Sequence, residues 1–129
     1  EKQIRELPEE IIGITRTENA EELAGYYSMA DVFVNATLED NFPTTNLEAL
    51  SCGTPVITFE TGGSPESLDA TCGRVVRKGD AEALRLTILA EREHPMRKED
   101  CLTRAVQYEK NDRFMEYAAL YHRLWGQGE

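Results

Sequence analysis

Apolar positions along this chain follow two periods. Short, largely apolar runs occupy 11–14 (Ile11-Ile12-Gly13-Ile14), 31–36, 56–59 and 74–76, each about the length of a buried strand. The segments between them carry helical spacing. One runs over 19–30, with Asn19 suited to cap it, and one over 45–52, with Gly53 suited to end it as the C′ residue. Ser64-Pro65 predicts a brief helix capped by Ser64 with proline at its first position. Three more helices are expected over about 80–93, 96–109 and 112–125, and the opening 1–7 reads as the tail of a helix. Strands alternating with helices predict a parallel sheet with right-handed crossovers, a doubly wound, Rossmann-like α/β domain of about four strands. A complete domain of that type has about six, so a fragment of a larger domain is expected. Phe114, Ala118, Tyr121 and Trp125 form one stripe of the last helix, widened by Tyr117, Leu120 and Leu124; packing on the sheet is the expected role, with contact to a partner domain as the alternative.

Composition narrows the field. The 129 residues suffice for one domain, and 40% hydrophobic against 29% charged residues fits a folded, soluble chain. A net charge of −10 argues against nucleic-acid partners, whose phosphates need basic surface, and against docking on anionic membranes. No apolar run approaches the ~20 residues of a membrane span. Cys52, Cys72 and Cys101 are odd in number and lack CxxC spacing, which predicts reduced, mostly buried thiols and a cytoplasmic location. His94 and His122 have no metal-ligand spacing, and neither a nucleophilic triad nor a G-x-G-x-x-G turn is present.

The chemistry concentrates in 38–57. An acidic, Pro-bearing loop follows an apolar strand and opens a short helix, and ligands of open α/β sheets sit beyond the carboxyl ends of strands, where helix amides receive anions. Asp40 and Glu48 would lie about 12 Å apart if one helix held both. That exceeds the carboxyl separation of glycosidases and suits two separate clamps on a long ligand. A structural alternative stays open for Glu48: Thr45-Asn46-Leu47-Glu48 fits a capping box, with Glu48 reaching back to the Thr45 amide. Pro43 offers no N–H, which leaves the amides of Phe42, Thr44 and Thr45 and the two threonine hydroxyls. Gly62-Gly63 permits close backbone approach or plain turning, and Glu66 suits the first turn of a helix in any case.

Asp40 through Glu48, followed by Ala49-Leu50-Ser51-Cys52-Gly53-Thr54-Pro55-Val56-Ile57, resembles the E-x7-E region of retaining glycosyltransferases with the GT-B fold. Thr61-Gly62-Gly63-Ser64-Pro65-Glu66 is similar to that family's GG-x-x-E turn. Gly73-Arg74-Val75-Val76 with Lys78-Gly79-Asp80 is similar to its G-x-L-V-x-x-G-D segment, and the helix and strand over 23–34 match as well. The resemblance covers about 11–125. It implies transfer of a sugar from a nucleoside diphosphate donor to an acceptor hydroxyl with retention. It implies that Glu48 holds the ribose and Asp40 the transferred sugar, with Glu39 as a substitute. Asn41, Phe42, Thr44 and Thr45 would face the sugar and β-phosphate, with Gly62, Gly63 and Glu66 as further candidates. No residue here is expected to act catalytically, and no metal or other cofactor is implied beyond the nucleotide-sugar donor. Asp40 departs from the family's usual glutamate and Pro43 from its glycine-rich loop. The family's basic pair would lie before Glu1 and its acceptor-side groups in an N-terminal domain, the expected partner, so the isolated chain is expected to be inactive. Competing expectations are a non-catalytic binding module on the same fold, and a phosphorylase or epimerase; for a phosphorylase, Lys78 and Lys98 stand in unpromising exposed contexts for a Schiff base.

Overall fold

The computed structural model describes residues 7–125, with side chains to Arg123. Three parallel strands form one sheet in the order β1 (Phe33–Asn35), β2 (Val56–Phe59), β3 (Gly73–Val76). Val34 pairs with Ile57, and Ile57 in turn with Arg74. Helix α1 (Ala20–Met29) precedes β1, α2 (Thr44–Ser51) joins β1 to β2, and a single 3-10 turn (Ser64–Ser67) lies between β2 and β3. Helices α3 (Ala81–Glu93), α4 (Lys98–Val106) and α5 (Lys110–Trp125) complete the chain.

The central strand explains the layering. Every residue of β2 is buried, because both faces of a parallel sheet are covered by helices. Val56 joins Tyr27, Ala49, Leu50, Leu68, Cys72 and Cys101 on one face, with Leu23, Phe33 and Leu47 packed around them. Ile57 and Phe59 point the other way, to Val76, Ala83, Leu84 and Ile88. Helices α1, α2 and α4 therefore cover one face and α3 the other, the doubly wound arrangement expected.

Helix ends follow local chemistry. Asn19 caps α1 by accepting from the Glu22 amide at 2.8 Å, and Asp80 caps α3 through the Ala83 amide at 2.9 Å. Gly53, at φ +77°, ends α2 as the C′ residue. Cys72 and Cys101 are buried free thiols and Cys52 is half-buried.

Four expectations are corrected. Residues 11–14 form no strand. Ile12 is 86% exposed, and no ladder forms beside it among the described residues, so its backbone has nothing to pair with. The stripe on α5 does not pack on the sheet: Phe114 is 61% and Tyr121 70% exposed. Gly63, not Ser64, stands at the N-cap of the 3-10 turn, and Ser64 lies inside it, fully buried. The start of α2 falls one residue early: Pro43 is its N-cap, which makes Glu48 the fifth helical residue, beyond the reach of a capping box. The helix tail expected over 1–7 lies outside the described residues apart from Leu7.

The carboxyl ends of β1 and β2 are fastened to α2 by a buried polar ring. Asn35 Nδ2 donates to Asn46 Oδ1 at 3.0 Å. Asn46 Nδ2 donates to Ser64 Oγ at 2.9 Å and to Ser67 Oγ at 3.0 Å. Ser64 and Thr58 share a hydroxyl contact at 2.6 Å, and Thr58 Oγ1 reaches the Asn35 carbonyl at 3.2 Å. One direction of donation satisfies the whole circuit, and no buried side-chain N or O among the described residues lacks a partner. Removing the amide leaves the Asn35 Nδ2 donor unpaired and takes one donor from each of the Ser64 and Ser67 hydroxyls, and an unpaired buried group costs about 1–3 kcal/mol. Asn46→Ala is expected to lower the unfolding free energy by about 2–4 kcal/mol in urea denaturation followed by circular dichroism; a loss below about 1 kcal/mol would show the ring to be incidental.

Candidate functional site

Six of the predicted site residues divide between two clefts, while Phe42, Thr45, Gly63 and Glu66 line neither. Strand β1 ends at Asn35, whose Oδ1 accepts from the Thr37 hydroxyl at 2.6 Å and from the Thr37 amide at 3.2 Å. That turn starts the acidic loop. Thr61 Oγ1 holds the loop at the Thr37 carbonyl, 3.1 Å away, and the Gly63 amide holds it at the Asn41 carbonyl, 2.6 Å away. The paired glycines are needed for this approach. Gly62 sits at φ +48°, and a methyl there would run into the Asp40 carbonyl. Gly63 thus spends its amide on the loop, and the glycine pair is at least a structural clasp.

Glu39, Asp40 and Asn41 line the first cleft, about 320 Å³, with Leu38, Glu60, Thr61, Gly62 and Lys78. The second cleft, about 450 Å³, lies between α1 and α2; Thr44 and Glu48 open onto it beside Leu23, Tyr27, Leu47 and Cys52. Asp40 and Glu48 therefore stand in different clefts, on either side of the loop-to-helix turn. Phe42 belongs to neither. Its half-buried ring packs on Tyr108 at 5.9 Å between centroids. Glu66 also lies outside both; its carbonyl accepts from Arg104 and from the Tyr108 hydroxyl, each at 2.6 Å.

The mouth of α2 is open. No side chain caps it, Thr44 and Thr45 are exposed, and the first amides of a helix have no carbonyl within it to bond. Those N–H groups carry the positive end of the helix dipole. Glu48 is held from α1: the Tyr27 hydroxyl donates to its Oε2 at 3.2 Å. Burial, reinforced by the Glu48 charge, pushes the Tyr27 phenol up to about 12, so it stays a donor.

Three residues here escaped the sequence reading, and a fourth, Lys78, was weighed only for a different role. Asn46 stands at an apolar position of the α2 face, three and four residues before the buried Ala49 and Leu50, and a polar side chain in such a stripe is the signal of a buried network. Tyr27 likewise follows Leu23 by four residues with a hydroxyl to place. Lys78 brings a cation to the acidic cleft. Arg104 binds the carbonyls of Glu66, Ser67 and Leu68, gripping the 3-10 turn from behind, and no local pattern announces that contact.

The fold and these clefts define a glycosyltransferase-type α/β unit. Residues 1–90 match the family described as "Glycosyl transferases group 1", and the chain belongs to that family. It is 39% identical over 83 residues to a GDP-mannose-dependent alpha-(1-6)-phosphatidylinositol monomannoside mannosyltransferase from Mycolicibacterium smegmatis, covering 58% of this chain and 22% of that protein. It is 43% identical over 49 residues to a D-inositol 3-phosphate glycosyltransferase from Corynebacterium jeikeium, covering 38% and 12%. Among solved structures, sucrose-phosphate synthase from Thermosynechococcus elongatus superposes with a TM-score of 0.73 at 28% identity, over 84% of this chain and 29% of that one. The chain therefore spans less than a third of the length of each of these relatives, and its fold is the GT-B type of parallel α/β unit.

The titrations give a signed expectation. Tyr27 rises from 10.0 to about 12, and Cys101 from 9.0 to about 12, chiefly by burial and then by the neighbouring Cys72. In both groups the fold favours the neutral form. Their contribution is complete below the unfolded values and is lost as pH climbs through them toward 12. The urea midpoint is expected to fall between about pH 9 and 12, less steeply in Tyr27→Phe; an unchanged midpoint over that range would contradict it.

Proposed function

We propose that this chain is the donor-binding portion of a retaining glycosyltransferase, which transfers a sugar from a nucleoside diphosphate donor to an acceptor hydroxyl. The observation that carries it is the conjunction at α2: a carboxylate, Glu48, on a cleft beside uncapped, exposed helix amides. Such amides suit the negative oxygens of a diphosphate, and an ionised carboxylate accepts bonds from vicinal hydroxyls such as those of a ribose. In this reading Glu48 holds the ribose and the Thr44 and Thr45 amides and hydroxyls receive the β-phosphate. Asp40, with Glu39 and Asn41, takes the transferred sugar in the neighbouring cleft, where Gly62 shapes the wall. No metal is needed, because positioning and stabilisation of the departing diphosphate are the protein's part.

The relatives support the emphasis on the donor. Two of them are named for different acceptors, a phosphatidylinositol monomannoside and D-inositol 3-phosphate. What such enzymes share over the aligned residues is more economically the donor side, and GDP-mannose in the name of one relative supports a nucleoside diphosphate sugar as the donor class. Acceptor groups and the cations for the diphosphate are assigned to an N-terminal domain and to residues preceding this segment. The uncovered aromatic face of α5 supports packing of that helix against another part of the protein. A cytoplasmic setting, where nucleotide sugars and reduced thiols coexist, fits the same reading.

UDP, GDP or ADP is expected to raise the thermal midpoint of the protein, with about 2.7 kcal/mol of stabilisation at a hundred times Kd. Glu48→Gln is expected to weaken that binding about tenfold while leaving the ligand-free midpoint unchanged. If no nucleoside diphosphate stabilises the protein, or if the glutamine variant binds as well as the parent, the donor assignment fails.

A further inference from the structure

Glu48 has two carboxylate oxygens, and the fold commits one of them. The Tyr27 hydroxyl, 21 residues earlier in sequence, lies 3.2 Å from Oε2, and no other group among the described residues is hydrogen-bonded to this carboxylate. Tyr27 is a fixed anchor. Its side chain is buried, its ring meets Phe33 edge-on at 5.3 Å and 86°, and its carbonyl accepts from Thr54 Oγ1 at 2.6 Å. Glu48, by contrast, is a half-exposed side chain on the wall of an open cleft. Left alone it would sample several rotamers, and ordering it would fall on the ligand. The contact is not one that helix geometry forces, because the two residues sit on different helices. It is also not a burial necessity for Glu48, which water reaches. What it does is aim a carboxylate.

We propose that Tyr27 is a positioning residue for the donor, holding Glu48 by Oε2 so that Oε1 is presented, already ordered, to a pair of vicinal hydroxyls. This rests on the donor reading above and adds to it a residue of α1 outside the acidic motif. The chemistry is specific to a diol. A ligand with the same base and phosphates but without the hydroxyl pair gains nothing from the ordering, because it makes no bond to Oε1.

The test is a set of dissociation constants on the full protein, for a nucleoside diphosphate and its 2′,3′-dideoxy counterpart, in the parent, Tyr27→Phe, Glu48→Gln and the double variant. Tyr27→Phe keeps the ring against Phe33, and the ratio of the two constants is read on folded protein only, so partial destabilisation does not enter it. Expected is a loss of about three- to tenfold for the ribonucleotide in Tyr27→Phe, no change for the dideoxy form, and no further loss when the substitution is added to Glu48→Gln. The proposal is overturned if Tyr27→Phe weakens both nucleotides equally or neither. It also falls, together with the ribose assignment itself, if Glu48→Gln leaves the ratio unaltered; a ratio that collapses in Glu48→Gln but survives in Tyr27→Phe removes the role of Tyr27 alone.

Discussion

The arrangement of the clefts depends on one buried amide. Asn46 turns its oxygen to β1 and its nitrogen to the 3-10 turn, so a single side chain ties together the strand that launches the acidic loop, the helix that follows it, and the turn that clasps the loop from the other side. An apolar residue of similar size would fill the space but leave the Asn35 Nδ2 donor unpaired and the Ser64 and Ser67 hydroxyls each short of a donor. A buried polar group is costly when unpaired and specifying when fully paired. Here the circuit is closed, and its directionality fixes where α2 begins relative to the ends of the strands. The open helix mouth and the placement of Glu48 on a cleft both follow from that register.

Much of this was readable in the chain itself. Three of the four expected strands and every expected helix from residue 19 onward appear, because their apolar spacing answers directly to burial on a two-sided sheet. The failures are each non-local. Residues 11–14 have the apolar content of a strand, but a strand exists only with a neighbour to pair with, and the open flank of β1 is not filled by them. The stripe of α5 has the period of a packed helix; period alone does not say against what a helix packs. Thr45-Asn46-Leu47-Glu48 spells a capping box, yet Pro43, with its fixed φ, takes the N-cap two residues sooner and puts Glu48 out of range.

The site was legible as a neighbourhood rather than as a geometry. Asp40, Asn41, Thr44 and Glu48 do converge on one edge of the sheet. Their division between two clefts, the withdrawal of Phe42 to Tyr108 and the engagement of Gly63 with the loop all come from contacts between segments far apart in sequence. Asp40 and Glu48 are not a catalytic pair in the sense of two carboxyls on one reacting bond. They line separate clefts, as two carboxylates reaching different parts of the surface would.

Support from behind comes from beyond the segment that the family match covers. Arg104 and Tyr108 hold the carbonyls of the 3-10 turn, and Cys101 fills the core beneath α2, while the match ends at residue 90. A domain boundary placed at that point would keep every motif and discard the props beneath them. The cooperative unit of this protein is therefore longer than its recognisable signature, and homology-guided truncation would sever it through the interior.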